Sequence, residues 1–222
     1  MSDTLINVNE LGIAQRTEEQ EKALSELTKS GDYLPALRIY GSSATIVKMG
    51  KFPQGHFGLY FSQEKVLDLG EQVDVLVIDY RPKACIMVAE ERPISYYDPT
   101  KDNFIKVKEK GQAKVKGYMF GLEYLLWIPS VKQFALFLMG NPTLRRESEN
   151  VKSHVQKAVT LKAKLIPSKE WGGWHGVEAL KCDAPIELPD LEEIKKVHAT
   201  KFANPIDTEV ELAEADTSGR VR

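Results

Sequence analysis

The chain has 222 residues, of which 42 % are hydrophobic and 28 % are charged, and its formal net charge is −2. This ordinary globular composition supplies enough apolar side chains for one sizeable core. The first residues show no basic segment followed by an apolar run, and no stretch approaches the roughly 18 consecutive apolar residues of a membrane-spanning helix. We therefore expect a cytoplasmic protein that is neither secreted nor inserted in a membrane.

The residue types that hold metals and cofactors are sparse. Cys85 and Cys182 belong to no CxxC motif, and the four histidines lack the spacing that sets two imidazoles on one helical face. No glycine-rich phosphate loop, GxSxG elbow or pair of carboxylates with acid and base roles is evident. The sequence thus predicts no metal site, no cofactor and no catalysis.

The charge is segregated along the chain. Residues 1–35 carry a net −4, residues 101–181 a net +8 and residues 182–222 a net −5. Because a merely soluble surface usually mixes the two signs, this segregation indicates a basic body that faces a polyanion. The alternative is that the lysines only solvate the outward faces of strands.

The first half of the chain predicts an arm followed by strands. Residues 17–27 are typical of a short helix capped by Thr17, within an N-terminal arm over residues 1–33. Residues 37–50 and 52–61 combine β-branched and aromatic residues with glycines, which favours strands joined by tight turns. Residues 73–89 are the clearest core segment, either two strands joined near Pro82 or one strand bent there at an edge.

Lysines with a period of two follow in the basic region. Lys106 and Lys108 fall on one face of residues 104–110 if that segment is extended, and Lys114 and Lys116 share a face of the next segment. Both segments are therefore predicted as strands that present lysines to one side.

The second half predicts a hairpin, a helix, a strand and a terminal helix. Residues 124–140 consist of two apolar runs joined by Pro129 and Ser130, as in a β-hairpin. Residues 143–158 have helical spacing with Thr143 as the cap, and residues 159–168 alternate as a strand. A helix over residues 188–202 begins through Pro189 and Asp190.

This pattern predicts a mainly β fold, namely an OB-like antiparallel barrel with added helices, and the alternative is a β-sandwich. The expected organisation is an arm at residues 1–33, a barrel domain at 34–186, a helix at 187–202 and a disordered acidic tail at 203–222.

Binding a single nucleic-acid strand requires cations for the phosphates and planar rings for the bases. Residues 171–176 place Trp171 and Trp174 among glycines, which could present both rings outward or could let them plug the end of a barrel. The predicted phosphate contacts are Lys106, Lys108, Lys114, Lys116, Arg145, Arg146, Lys162 and Lys164, and the predicted stacking residues are Tyr118, Phe120, Trp171 and Trp174.

The layout of these segments resembles bacteriophage single-stranded DNA-binding proteins of the OB-fold type. The residues that carry the resemblance are the 73–83 strand, the 124–140 hairpin, Arg145 and Arg146 at the start of a helix, the 159–166 strand and the acidic end. The resemblance implies a lysine-bearing face that binds the strand, and an acidic tail that contacts replication or recombination proteins. One departure is the basic ending at Arg220 and Arg222, which puts recruitment by the tail in doubt.

We therefore predict sequence-independent binding of single-stranded DNA, which would coat exposed strands during replication, recombination or repair. If the chain is phage-encoded, we expect it to act in the host cytoplasm. The sequence is compatible with either a monomer or a homodimer. Two alternatives remain: a structural or virion-associated assembly protein, and a nucleic-acid-processing enzyme.

Overall fold

A computed structural model describes residues 33–62, 65–87, 93–167, 173–182 and 184–208. Apart from Tyr33, these residues belong to the second of two compact units, Leu34–Arg222. The helix that we predicted over residues 17–27 lies outside the described residues.

Strands dominate the described part of the chain, so the predicted mainly β class is confirmed. The strands are β1 (Ala36–Ile39), β2 (Phe57–Ser62), β3 (Lys65–Gly70), β4 (Gln72–Ile86), β5 (Ile94–Tyr96), β6 (Tyr118–Ile128), β7 (Gln133–Met139), β8 (Lys157–Ile166) and β9 (Trp174–Lys181). The helices are α1 (Thr45–Lys48), α2 (Asp102–Gln112), α3 (Pro142–Lys152) and α4 (Leu191–Lys201). None of the helices in these ranges has the length and apolarity to cross a membrane.

The strands form one mixed sheet in the order β3-β2-β1-β7-β6-β4-β8-β9, and β5 joins β4 beside this path. The pair β1 and β7 is parallel, with Ala36 opposite Leu136, and the other pairs are antiparallel. The predicted OB-like barrel is wrong because the sheet ends at β3 and β9, which do not pair with each other. The β-sandwich alternative also fails, since all the described strands belong to a single sheet.

Strand β4 is the longest in the sheet and contains Pro82 in its interior. On one side β6 follows it from residue 76 to residue 86; on the other, β8 pairs with residues 72–77 and β5 with residues 84–86. Pro82 lies in the gap between β8 and β5. Proline has no backbone N–H group, and at this position its absence costs no hydrogen bond between strands. Of the two interpretations of residues 73–89, the single strand is confirmed over residues 73–86, and residues 88 and 89 lie outside the described residues.

The inner face of the sheet carries the main core. Its fully buried side chains include Val75, Leu126 and Phe137, which lie on neighbouring strands. Helix α3 covers part of this face, where the Tyr124 hydroxyl bonds the carbonyl oxygen of Ser148 at 2.6 Å. Burial raises the pKa of Tyr124 to about 12, so this hydroxyl stays protonated and can donate.

The outer face is covered by the C-terminal helix. Ile194 and Val197 of α4 pack against a cluster of apolar side chains from β4, β6 and β7 that includes Trp127 and Phe134. Asp190 caps α4 by accepting a hydrogen bond from the backbone N–H of Glu192, which confirms the predicted start of this helix.

Several local predictions need correction. Residues 45–48, within a segment predicted as strands, form helix α1, and helix α3 ends at Lys152 and not at residue 158, where β8 has already begun. Residues 104–110 are helical because Phe104, Val107 and Gly111 of α2 are buried at helical spacing, and this burial outweighs the alternation of the lysines. Lys114 and Lys116 lie in the turn after α2 and not in a strand. Helix α3 is capped by Asn141, two residues before the predicted cap Thr143.

The C-terminal segment is ordered further than its composition predicted. We expected disorder from residue 203, but Asp207 accepts a hydrogen bond from the backbone N–H of Tyr97 at 2.8 Å. The next residue, Thr208, donates its N–H to Ser95 and accepts the N–H of Ser95 through its hydroxyl. Residues 207 and 208 therefore follow the edge of β5.

Candidate nucleic-acid interface

A groove with basic walls runs between α2 and α3 on the inner face of the sheet. Its floor is formed by Pro82 of β4 and Leu122 of β6, which lie directly opposite each other, together with Phe120. The groove is open to solvent and has a volume of about 280 Å³. This volume is at the small end for a ligand pocket, so it suits a single base or nucleotide rather than a larger molecule.

Three cations line this groove, which we call the α2–α3 groove. Lys108 projects from α2, whereas Arg145 and Lys152 come from α3. On α3, Arg145, Ser148, Glu149 and Lys152 share one helical face because they are spaced by three and four residues. Glu149 is the one carboxylate among the described lining residues, and it pairs with Lys152 at 3.4 Å on an exposed surface. Such a pair contributes little and is easily exchanged for a phosphate contact.

Arg145 is held in a fixed position at one end of the groove. Its Nη1 donates to the carbonyl oxygen of Gly140 at 2.6 Å and to that of Phe120 at 3.3 Å. Its guanidinium lies over the Phe120 ring, with 3.9 Å between Cζ and the ring centroid. Burial lowers the pKa of Arg145, but a guanidinium remains charged at neutral pH.

Other cations of this region also lie near aromatic rings. Lys152 Nζ is 5.3 Å from the centre of the Tyr80 ring, and Lys110 Nζ is 5.1 Å from that of Tyr118. These distances are within the range of cation–π attraction. A base that stacked on either ring would therefore meet a cation already beside it.

A second basic surface lies on the hairpin of β8 and β9. Lys162 and Lys164 are exposed on β8, opposite Glu178 and Gly176 of β9, and Trp174 is 55 % exposed at the start of β9. Trp174 is thus presented to solvent and does not plug the end of the sheet. It lies opposite Ile166, near the end of the hairpin.

Helix α3 lies between the groove and this hairpin. A Cβ atom at Gly176 would lie 3.3 Å from Cγ2 of Thr143, at the start of α3. Arg146, also near the start of α3, is exposed. The two basic surfaces are therefore joined by a helix that carries a further exposed cation.

The predicted site residues consequently fall into three groups. Lys108, Phe120 and Arg145 line the groove. Lys162, Lys164 and Trp174 lie on the hairpin. Of the others, Lys106, Lys114, Lys116 and Arg146 are exposed outside the groove, Tyr118 is half-buried beside Lys110, and Trp171 lies outside the described residues.

Sequence reasoning missed Lys152 and Tyr80, which also belong to this region. The helical spacing of seven between Arg145 and Lys152 is a signal that could have found the lysine. Tyr80 carried no comparable signal, because its position next to α3 depends on the pairing of β4 with β6.

Arg81 and Lys83 of β4 form ion pairs inside the protein. Both are nearly buried and bond the carboxylate of Glu123, which is 2 % exposed. Arg81 also donates to the carbonyl oxygen of Phe202 at 2.6 Å. Arg81 therefore holds the C-terminal end of α4 against the outer face, and Lys83 adds a second cation beside Glu123.

Within the described ranges, no group of three or more His, Cys, Asp or Glu side chains is placed to hold a metal ion. Comparison of the chain with protein-family models, with curated proteins and with solved structures finds no match.

Proposed function

We propose that this chain binds single-stranded DNA with little sequence preference and without catalysis, and coats exposed strands during replication, recombination or repair. The observation that carries the proposal is the α2–α3 groove, in which three cations line the walls and the partly exposed Phe120 lies on the floor beneath Arg145. A single strand requires this combination, because phosphates need cations and unpaired bases need planar surfaces.

The strand would leave the groove across α3 and reach the β8–β9 hairpin. Arg146 is exposed along this route, and Lys164 and Trp174 lie on the hairpin beyond it. The path thus offers phosphate contacts at both ends and a solvent-exposed indole at the far end. It does not depend on a closed barrel.

The test is the salt dependence of binding to a fluorescein-labelled oligo(dT), measured by anisotropy. For single strands the logarithm of the binding constant falls with the logarithm of salt concentration by about 0.7 for each phosphate neutralised. The double variant Lys108→Ala/Lys152→Ala should bind more weakly, and its slope should be less steep by about 1.4 because two phosphate contacts are lost.

The matched control is Lys196→Ala/Lys201→Ala, which removes two exposed lysines from α4 on the outer face. This control should retain the slope of the unaltered protein. If both double variants behave alike, the groove is not where the strand binds. Stable assembly without any affinity for DNA would support a structural protein, and cleavage of the labelled strand on addition of Mg²⁺ would support an enzyme.

A further inference from the structure

The geometry points to Arg145 as a base-stacking residue: we infer that a nucleobase lies flat on the open face of its guanidinium, and that Phe120 supports the guanidinium from below. This inference rests on the proposed binding of a single strand and assigns to one residue the contact with the base. It differs from our expectation for Arg145, which was a contact with a phosphate.

The first support is the orientation of the side chain. The guanidinium lies over the Phe120 ring at 3.9 Å, so one of its two faces is occupied by the ring. Both residues line the groove, so a ligand bound there would approach the guanidinium on the face that Phe120 does not cover. A guanidinium plane is a surface on which bases stack.

The second support is that the plane is fixed before a ligand arrives. The two carbonyl oxygens of Gly140 and Phe120 both accept from Nη1, and this leaves the side chain little rotational freedom. Ordering a flexible arginine on binding would cost conformational entropy, whereas a preorganised one avoids most of that cost.

The third support is the position of the two lysines. Lys108 and Lys152 line the same small groove from opposite helices, so cations are available for the phosphates of a nucleotide whose base lies on Arg145. Nη1 of Arg145 already donates hydrogen bonds to two backbone carbonyl oxygens. We therefore assign the base to Arg145 and the phosphates to the two lysines.

The experiment compares oligo(dT) with an oligomer of equal length and charge that carries abasic sites. The unaltered protein should bind oligo(dT) more tightly, by about fivefold or more, since one stacked base contributes on the order of 1–3 kcal/mol. Arg145→Lys keeps the charge but loses the plane, so its preference for oligo(dT) over the abasic strand should fall severalfold while its salt slope is unchanged.

The matched control is Arg38→Lys, the same replacement at an arginine of β1 that also lies over an aromatic ring, with 3.8 Å between Cζ and the Tyr60 centroid, but outside the groove. This control should keep the full preference. Circular dichroism checks whether Arg145→Lys is folded. If it is not, Phe120→Leu removes the supporting ring and should lower the preference in the same direction. Equal binding of both oligomers by the unaltered protein, or an unchanged preference in Arg145→Lys, would overturn the inference and leave strand binding intact. Failure of both oligomers to bind would overturn the proposed function itself.

Discussion

Replacing Glu123 by Gln should destabilise the protein strongly, although it changes only one atom of the side chain. The Glu123 carboxylate accepts from Arg81 Nε at 2.8 Å, from Arg81 Nη2 at 2.6 Å and from Lys83 Nζ at 2.6 Å. All three side chains are nearly buried, so the change leaves two desolvated cations with no opposite charge between them. Removing one partner of a buried ion pair lowers the free energy of unfolding by about 3–5 kcal/mol.

For a folded unit of this size, that loss corresponds to a fall in Tm of about 6–20 °C. Urea denaturation followed by circular dichroism gives the free energy of unfolding directly. The control is Glu187→Gln, which breaks an ion pair with Lys132 at 2.9 Å in which both side chains are more than 60 % exposed. Exposed pairs contribute about 0–1 kcal/mol, so the control should be nearly neutral. A loss in Glu123→Gln no larger than in the control would refute the buried-triad explanation.

Two further predictions concern stability. Burial raises the pKa of Cys85 from 9.0 to about 11, so between these pH values the unfolded chain releases a proton that the folded chain keeps. The free energy of unfolding should therefore fall as pH rises through this window, and Cys85→Ala should flatten that fall in urea titrations at pH 8–11. Gly121→Ala should cost about 3 kcal/mol in the same assay, because the new Cβ would overlap the carbonyl oxygen of Met139 in the neighbouring strand. Gly50→Ala meets no atom within 4 Å and bears only the strain of its positive φ, about 1 kcal/mol, so equal losses in the two variants would contradict the overlap.

Local patterns predicted several elements of this fold well. The hairpin over residues 124–140 is present as β6 and β7, joined by a turn at Pro129–Val131. Its two apolar runs and its proline are neighbours in sequence, so the pattern and the structure report the same short-range interactions. The same holds for α4, whose cap at Asp190 and partly buried apolar residues Ile194 and Val197 lie within one segment.

The helix α2 was missed because two periodicities compete in one short segment. The lysines at 106, 108 and 110 alternate, but Phe104 and Val107 define a buried helical face. Exposed lysines constrain the backbone little, whereas buried apolar side chains decide which conformation packs. Giving weight to the apolar positions alone would have predicted the helix.

The strand order of the sheet and the set of residues that line the groove could not be predicted from a single sequence. The parallel pairing of β1 with β7 joins residues about 100 positions apart, and no local signal encodes it. In the same way, Lys108 and Lys152 line the same groove only because the sheet strands β4 and β6 place α2 and α3 side by side. The charge of residues 101–181 predicted a basic body, but its division between a groove and a hairpin is a property of the fold.

Photocrosslinking tests most directly whether a strand lies in the α2–α3 groove. An oligo(dT) containing 4-thiothymidine is bound to the protein and irradiated, and the crosslinked peptides are identified by mass spectrometry. We expect crosslinks within residues 104–122 and 142–152, competed away by unlabelled oligo(dT) and by salt. Crosslinks confined to α4 on the outer face, or a failure to crosslink at concentrations that saturate binding, would contradict this placement of the strand.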